Sequence, residues 1–159
     1  MQVRGRILGS ESPVTVEIDG GLIRSISTDA PSSEAIGGDD VWVSPGICDV
    51  QVNGVGGISY KAEDLTVEQV VETTEWMYRT GTGKWCPTVT TSSADDAIQG
   101  LGLLAKACET NENAAASFCG FHVEGPYIGS EDGPRGAHPL EHVRDPNWDE
   151  FKRYQDAAG

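Results

Sequence analysis

The sequence predicts an α/β fold in two parts, a small antiparallel β piece over residues 1–43 and a parallel β/α body over residues 44–159. Two observations carry this. From Ser44 onward strand-like and helix-like stretches alternate, so βαβ units with right-handed crossovers are the economical reading. Ahead of Ser44 the chain offers only short strand candidates joined by turn residues.

Taken in order, Val3 to Leu8, Val14 to Ile18 and Leu22 to Ile26 are strand candidates, with Asp19-Gly20-Gly21 as a tight turn between the last two. Ser44-Pro45-Gly46 is a turn signal leading into a strand that closes at Asn53-Gly54. Side chains alternate along a strand, so Asp49, Gln51 and Asn53 are expected on one face and Cys48, Val50 and Val52 on the other. Buried parallel strands are usually almost all apolar, and an inward polar row is costly unless hydrogen-bonded or used. Thr66 then caps a helix, with Gln69 as its capping-box partner. Val67, Val70, Val71, Thr74 and Met77-Tyr78 recur at helical spacing until Gly81 ends the run.

The next strand, Lys84 to Ser92, carries Thr88, Thr90 and Ser92 on one face. A helix follows from Ala94 to Cys108 through Ile98, Leu101, Leu104 and Ala105. Pro146 to Ala158 is a third helix, with Trp148, Phe151 and Tyr154 on one stripe. Three strands bearing polar residues toward their carboxyl ends read as the mouth of one barrel.

The chemistry concentrates in Gly120-Phe121-His122-Val123-Glu124-Gly125-Pro126-Tyr127. This is a short strand that delivers a carboxylate to a sharp turn, at the strand end where parallel α/β folds gather reactive groups. Alternation places His122 and Glu124 on one face. A glycine-rich loop from Gly129 to Gly136 ends in Ala137-His138-Pro139, so one strand end and its loop present a carboxylate and two imidazoles. That set suits metal binding or acid/base work. The plainer alternative makes Glu124 a cap on a loop amide and His122 a hydrogen-bonded core histidine.

Composition sets bounds. The formal charge is −14 with only 11 Lys and Arg, which disfavours nucleic acid as a partner, since that affinity rests on cationic contacts to phosphate. No apolar run approaches the ~20 residues of a membrane span, and the N-terminus lacks the basic-then-apolar pattern of a signal peptide. Cys48, Cys86, Cys108 and Cys119 show no CxxC spacing and read as reduced core thiols, which favours a cytoplasmic location.

The chain resembles the N-terminal part of the N-acetylglucosamine-6-phosphate deacetylase family, in the amidohydrolase superfamily. Three blocks carry the resemblance: Ser44-Pro45-Gly46 running into Asp49-Val50-Gln51-Val52-Asn53-Gly54 with Gly56-Gly57, then Pro87-Thr88 with Thr90-Thr91-Ser92, then Phe121 to Pro126 followed by Gly136-Ala137-His138-Pro139. It implies the first three β/α units of a (β/α)₈ TIM barrel behind part of a β-sandwich subdomain. A complete barrel takes at least ~200 residues, so the 159 residues are expected to be roughly the first two-fifths of a longer chain, and inactive alone.

The resemblance further implies hydrolysis of the acetamide of N-acetyl-D-glucosamine 6-phosphate in a cytoplasmic homo-oligomer that takes up no nucleic acid or membrane. It makes Glu124 a ligand of one divalent metal, zinc or iron, and makes His138 and Ala137 contacts to the phosphorylated amino sugar. Gln51, Asn53 and His122 are expected around the metal without ligating it directly. The catalytic base and two histidine ligands would lie beyond Gly159. Many superfamily members carry His-x-His on the first barrel strand to hold a second metal; Gln51 and Asn53 stand there instead, and neutral amides are poor zinc ligands, which favours a single metal. N-acetylgalactosamine 6-phosphate as substrate, another superfamily hydrolase, or a non-catalytic remnant of the fold are the alternatives.

Overall fold

The structure, a computed structural model, describes residues 1–61 and 63–159. It divides into two compact units, Met1–Pro45 and Gly46–Gly159.

The first unit is one four-stranded sheet of β1 (Gln2–Arg6), β2 (Val14–Asp19), β3 (Leu22–Ser27) and β4 (Ile36–Trp42), in the order β3-β2-β1-β4. β1–β2 and β2–β3 are antiparallel, and the turn between β2 and β3 uses Gly20 at φ 57 and Gly21 at φ 75. Two positive φ values in succession are what a tight hairpin of matching twist needs. β4 is a strand the sequence reading did not anticipate, and it runs parallel to β1. Its interior, Gly37-Gly38-Asp39-Asp40, lacks strand formers. Arginine side chains hold it instead: Arg4 Nε donates to Asp39 Oδ1 at 2.6 Å and Arg6 Nε to the Asp39 carbonyl at 2.9 Å.

The second unit contains a parallel sheet of β5 (Ile47–Val52), β8 (Thr82–Thr90) and β9 (His122–Glu124), in the order β5-β8-β9. A two-stranded ribbon, β6 (Gly54–Val55) and β7 (Ile58–Ser59), turns back after β5 through Gly56 and Gly57, both at positive φ. Helix α1 (Val67–Arg79) links β5 to β8 and begins with the expected Thr66–Gln69 capping box. Helices α2 (Ala94–Thr110) and α3 (Glu112–Ser117) link β8 to β9. The sequence reading gave α2, ending it at Cys108, and did not anticipate α3; Asn111 separates the two, closing α2 and capping α3 through its side chain. A 3₁₀ turn at Leu140–His142 and helix α4 (Trp148–Ala158) complete the unit.

Helices and sheet meet over Val52, Tyr60, Val70, Met77, Trp85, Val89, Leu101, Leu104 and Tyr154. Polar groups in this core are paired in series. Trp85 Nε1 donates to Tyr60 Oη at 3.3 Å, Tyr60 to Thr73 Oγ1 at 2.8 Å, and Thr73 to the Val70 carbonyl at 2.6 Å. Such a chain removes the cost of burying three polar atoms.

Three expectations need correction. The alternation expected along β5 is interrupted between Asp49 and Val52, because Asp49 is in register with Trp85 and Val52 with Pro87, three steps on β5 against two on β8. The extra residue is a bulge; Val52 beyond it enters the core, on the face opposite Gln51 and Asn53 as expected. On α4, Trp148 and Phe151 are 70% and 44% exposed, and only Tyr154 is buried. The thiols do not all enter the core either. Cys48 and Cys119 are exposed with their sulfurs 3.9 Å apart, and their mutual hydrogen bond pushes the Cys48 thiol up. Among the described residues, no helix is long and apolar enough to cross a membrane.

Candidate functional site

Residues from the carboxyl ends of β8 and β9 converge. In the ladder between them Thr88 stands beside His122, Val89 beside Val123 and Thr90 beside Glu124. Because the pairing is in register, Thr88, Thr90, His122 and Glu124 share one face. Val89 and Val123 take the opposite face, against the helices.

The bulge in β5 gives His122 its partner. Val50, out of the regular ladder, offers its carbonyl to His122 Nδ1 at 3.0 Å, while the Val52 N–H donates to Thr88 Oγ1 at 3.0 Å. A carbonyl only accepts, so His122 carries its proton on Nδ1.

Glu124 ends β9, and Gly125 follows at φ 77. The loop after it closes on itself: the Arg144 N–H donates to the Pro126 carbonyl at 3.2 Å. Inside that closure Gly136, at φ 61, donates its N–H to Gly133 O, and Arg135 Nη1 caps the His138 carbonyl. The result is that His138 is returned to the end of β9. Its Nδ1 lies 2.8 Å from Thr91 Oγ1, and its Nε2 lies 3.6 Å from Glu124 Oε1. Thr91 donates to the Glu124 carbonyl at 3.0 Å. The two functional side chains are 21% and 30% exposed, so both face an open but sheltered cleft.

That cleft holds about 180 Å³ and is lined by Asn53, Lys61, Thr90, Thr91, Glu124, Ala137, His138 and Pro139. Of the residues singled out in the sequence, Glu124, Ala137, His138 and Asn53 therefore meet in one place. Gln51 is exposed and lies outside this lining. His122 shares the face of Glu124 and is tied to β5. Sequence reasoning missed Thr91 and Lys61. Strand alternation favoured Thr90 and Ser92 over Thr91, but β8 stops at Thr90 and alternation stops with it.

The base of the loop is locked by charge. Glu150 on α4 accepts from Arg144 Nη2 at 2.8 Å and Nε at 3.0 Å, from Tyr154 at 2.7 Å and from Tyr127 at 3.0 Å. Burial pushes the Glu150 carboxyl up, but hydrogen bonds from Arg144, Tyr154 and Tyr127 outweigh it and hold the group below the usual range. Burial, then the Glu150 hydrogen bond and charge, push the Tyr154 and Tyr127 phenols up.

Among the described residues no group of three or more His, Cys, Asp or Glu side chains is gathered as a metal site. The cleft itself offers one carboxylate and one imidazole as metal-type donors, beside neutral hydroxyl and amide groups and one lysine.

No family model matches the chain. Curated relatives do. It is 31% identical over 111 residues to the N-acetylglucosamine-6-phosphate deacetylase of Bos taurus, covering 69% of this chain and 26% of that protein. It is 27% identical over 150 residues to the Bacillus subtilis enzyme of the same name, covering 91% of this chain and 37% of the other. Among solved structures, a Mycobacterium smegmatis N-acetyl-D-glucosamine-6-phosphate deacetylase variant, determined with N-acetyl-D-glucosamine 6-phosphate, superposes with a TM-score of 0.77 at 24% identity, over 99% of this chain and 40% of that one. The chain thus spans well under half the length of the proteins it resembles. In sequence and in fold it matches the N-terminal portion of N-acetylglucosamine-6-phosphate deacetylases.

Proposed function

We propose that this chain is the front of a metal-dependent hydrolase of barrel architecture that converts N-acetyl-D-glucosamine 6-phosphate to D-glucosamine 6-phosphate and acetate. The observation that carries the reading is the placement of Glu124 at a parallel strand end with His138 returned to within 3.6 Å of it. Strand ends of this kind are where reactive groups collect in parallel α/β folds.

The metal fits this chain only in part. A catalytic zinc takes three protein ligands, and residues 1–159 bring Glu124 as the one carboxylate in the cleft. Glu124 would be this chain's ligand, and the others would come from elsewhere in the complete protein. When bound, zinc or iron would acidify a water and polarise the acetamide carbonyl.

The chain's own residues have separate tasks. His138 offers a ring nitrogen to the sugar, and the backbone at Ala137 approaches it along the same loop. Lys61 adds a cation to an otherwise acidic chain, favourable to a phosphorylated ligand. Asn53 lines the cleft where a second metal would need histidine, which supports a single ion. A homo-oligomeric assembly belongs to the same reading.

The test is acetate release by the purified full-length protein from N-acetylglucosamine 6-phosphate, with the galactosamine epimer and the unphosphorylated sugar in parallel. Turnover of the first, with little from the other two, is expected. No release from any of them in metal-replete enzyme would overturn the proposal.

A further inference from the structure

Arg135 holds the peptide groups on both sides of His138. Its side chain donates from Nη1 to the His138 carbonyl, and its own carbonyl accepts the His138 N–H, more loosely, at 3.5 Å. Arg135 is itself pinned, its N–H donating to the Glu131 carbonyl at 3.1 Å, while the Gly136 N–H reaches back to the Gly133 carbonyl at 3.0 Å. Residues 131–138 are thereby closed into one turn, and Ala137 and His138 are the part of it that lines the cleft. Arg135 does not line it.

The guanidinium is poorly paired for a cation so far out of water. Its side chain is 18% exposed, whereas the carboxylate it meets at 3.4 Å, on Asp132, is fully exposed. An ion pair with one partner in open water contributes little. Arg135 Nε is buried with no hydrogen-bond partner among the described residues. A buried, unpaired N–H costs stability, so stability alone does not favour an arginine here. The contact that remains is the charge-assisted bond to the His138 carbonyl, and what it fixes is the course of the backbone along the cleft. We infer that Arg135 is a positioning residue of this site: it touches no ligand, and it acts by holding the Ala137–His138 backbone in place beside Thr91 and Glu124. The effect expected on the sugar rests on the deacetylase reading above; the clamp on the backbone does not.

The test pairs steady-state kinetics with amide hydrogen exchange in the full-length protein. Arg135→Met keeps much of the apolar stem and removes every donor. It should raise KM for N-acetylglucosamine 6-phosphate by about tenfold, the value of one hydrogen bond to a charged group, with kcat changed less. The unfolding midpoint should hold, because the unpaired Nε goes with the charge. Exchange across Glu131–His138 should quicken in the same variant. Arg135→Lys, which still has an N–H to give the carbonyl, should recover most of both effects, and Asp132→Asn should show neither. Wild-type KM and exchange in a folded Arg135→Met would overturn the inference. So would an Asp132→Asn that reproduces the loss, since the ion pair and not the carbonyl contact would then do the holding. An Arg135→Met that does not fold would overturn it too, by making the residue a support of the whole fold. Quickened exchange in Arg135→Met of a protein whose wild type releases no acetate would count against the deacetylase reading alone.

Discussion

Gly125 leaves the space that the Thr91 hydroxyl fills: a side chain at Gly125 would overlap that oxygen, and the backbone there is already at φ 77. Gly125→Ala therefore meets two penalties. The left-handed conformation costs about 1–2 kcal/mol for a residue with a Cβ, and the overlap adds about 1–3 kcal/mol. Gly133, at φ 91 with nothing within 4 Å of the added atom, supplies the control. Urea unfolding should show Gly125→Ala losing clearly more stability than Gly133→Ala; equal losses would mean that the Thr91 contact carries no cost.

Acid should loosen the loop through Glu150. Its carboxyl is held below the usual range in the folded protein, burial notwithstanding, by Arg144, Tyr154 and Tyr127. A depressed folded value contributes stability that is fully present above the unfolded value of about 4.3. That contribution is lost as pH falls through the lower, folded value. Glu150→Gln should remove part of the acid sensitivity and cost about 1–3 kcal/mol at neutral pH. Parallel pH profiles of unfolding in wild type and variant would contradict this.

On the proposed reading, the full-length protein should hold one essential metal per chain. Asn53 lines the cleft and Gln51 lies outside it, where a histidine pair would be needed for a second ion. Elemental analysis after exhaustive dialysis should give close to one zinc or iron, and titration of the metal-free protein should restore turnover with a single equivalent. Two tightly held ions, both required, would contradict the account.

Removing the His138 ring tests the substrate side. His138→Asn shortens the side chain and withdraws Nε2 from its place opposite Glu124 Oε1. Metal content should remain while kcat/KM falls by about tenfold or more, the loss expected for a hydrogen bond to a reacting ligand. Loss of metal together with activity would instead make His138 a ligand.

How much of this was legible in the sequence depends on the local physics. The pairing of Thr88 with His122 and Thr90 with Glu124 follows from a period of two on short parallel strands, and it was readable. The face of Asp49 could not be read from a period of two because register shifts along β5 break it, and a bulge without glycine leaves no mark in composition. β4 was invisible because Asp39 is held by Arg4 and Arg6, contacts more than thirty residues apart. Thr91 could not be found from a strand pattern, since its role begins where the strand ends. On α4 the aromatic stripe predicted burial for three rings. Tyr154 alone entered the core, drawn by a partner for its hydroxyl, while Trp148 and Phe151 stack on each other at 5.3 Å near the surface.

The measurement that bears most directly on the central claim pairs metal content with turnover in Glu124→Gln of the full-length protein. Glutamine keeps the shape and removes the charge that offsets a cation. Changes in groups that only support a metal ligand cost 10–100-fold, so loss of the ligand itself should lower kcat/KM for N-acetylglucosamine 6-phosphate by more than about a hundredfold. Bound metal should fall in step, with the unfolding transition otherwise retained. A variant that keeps its metal and its wild-type turnover would show that the carboxylate at the end of β9 is not the centre of the site.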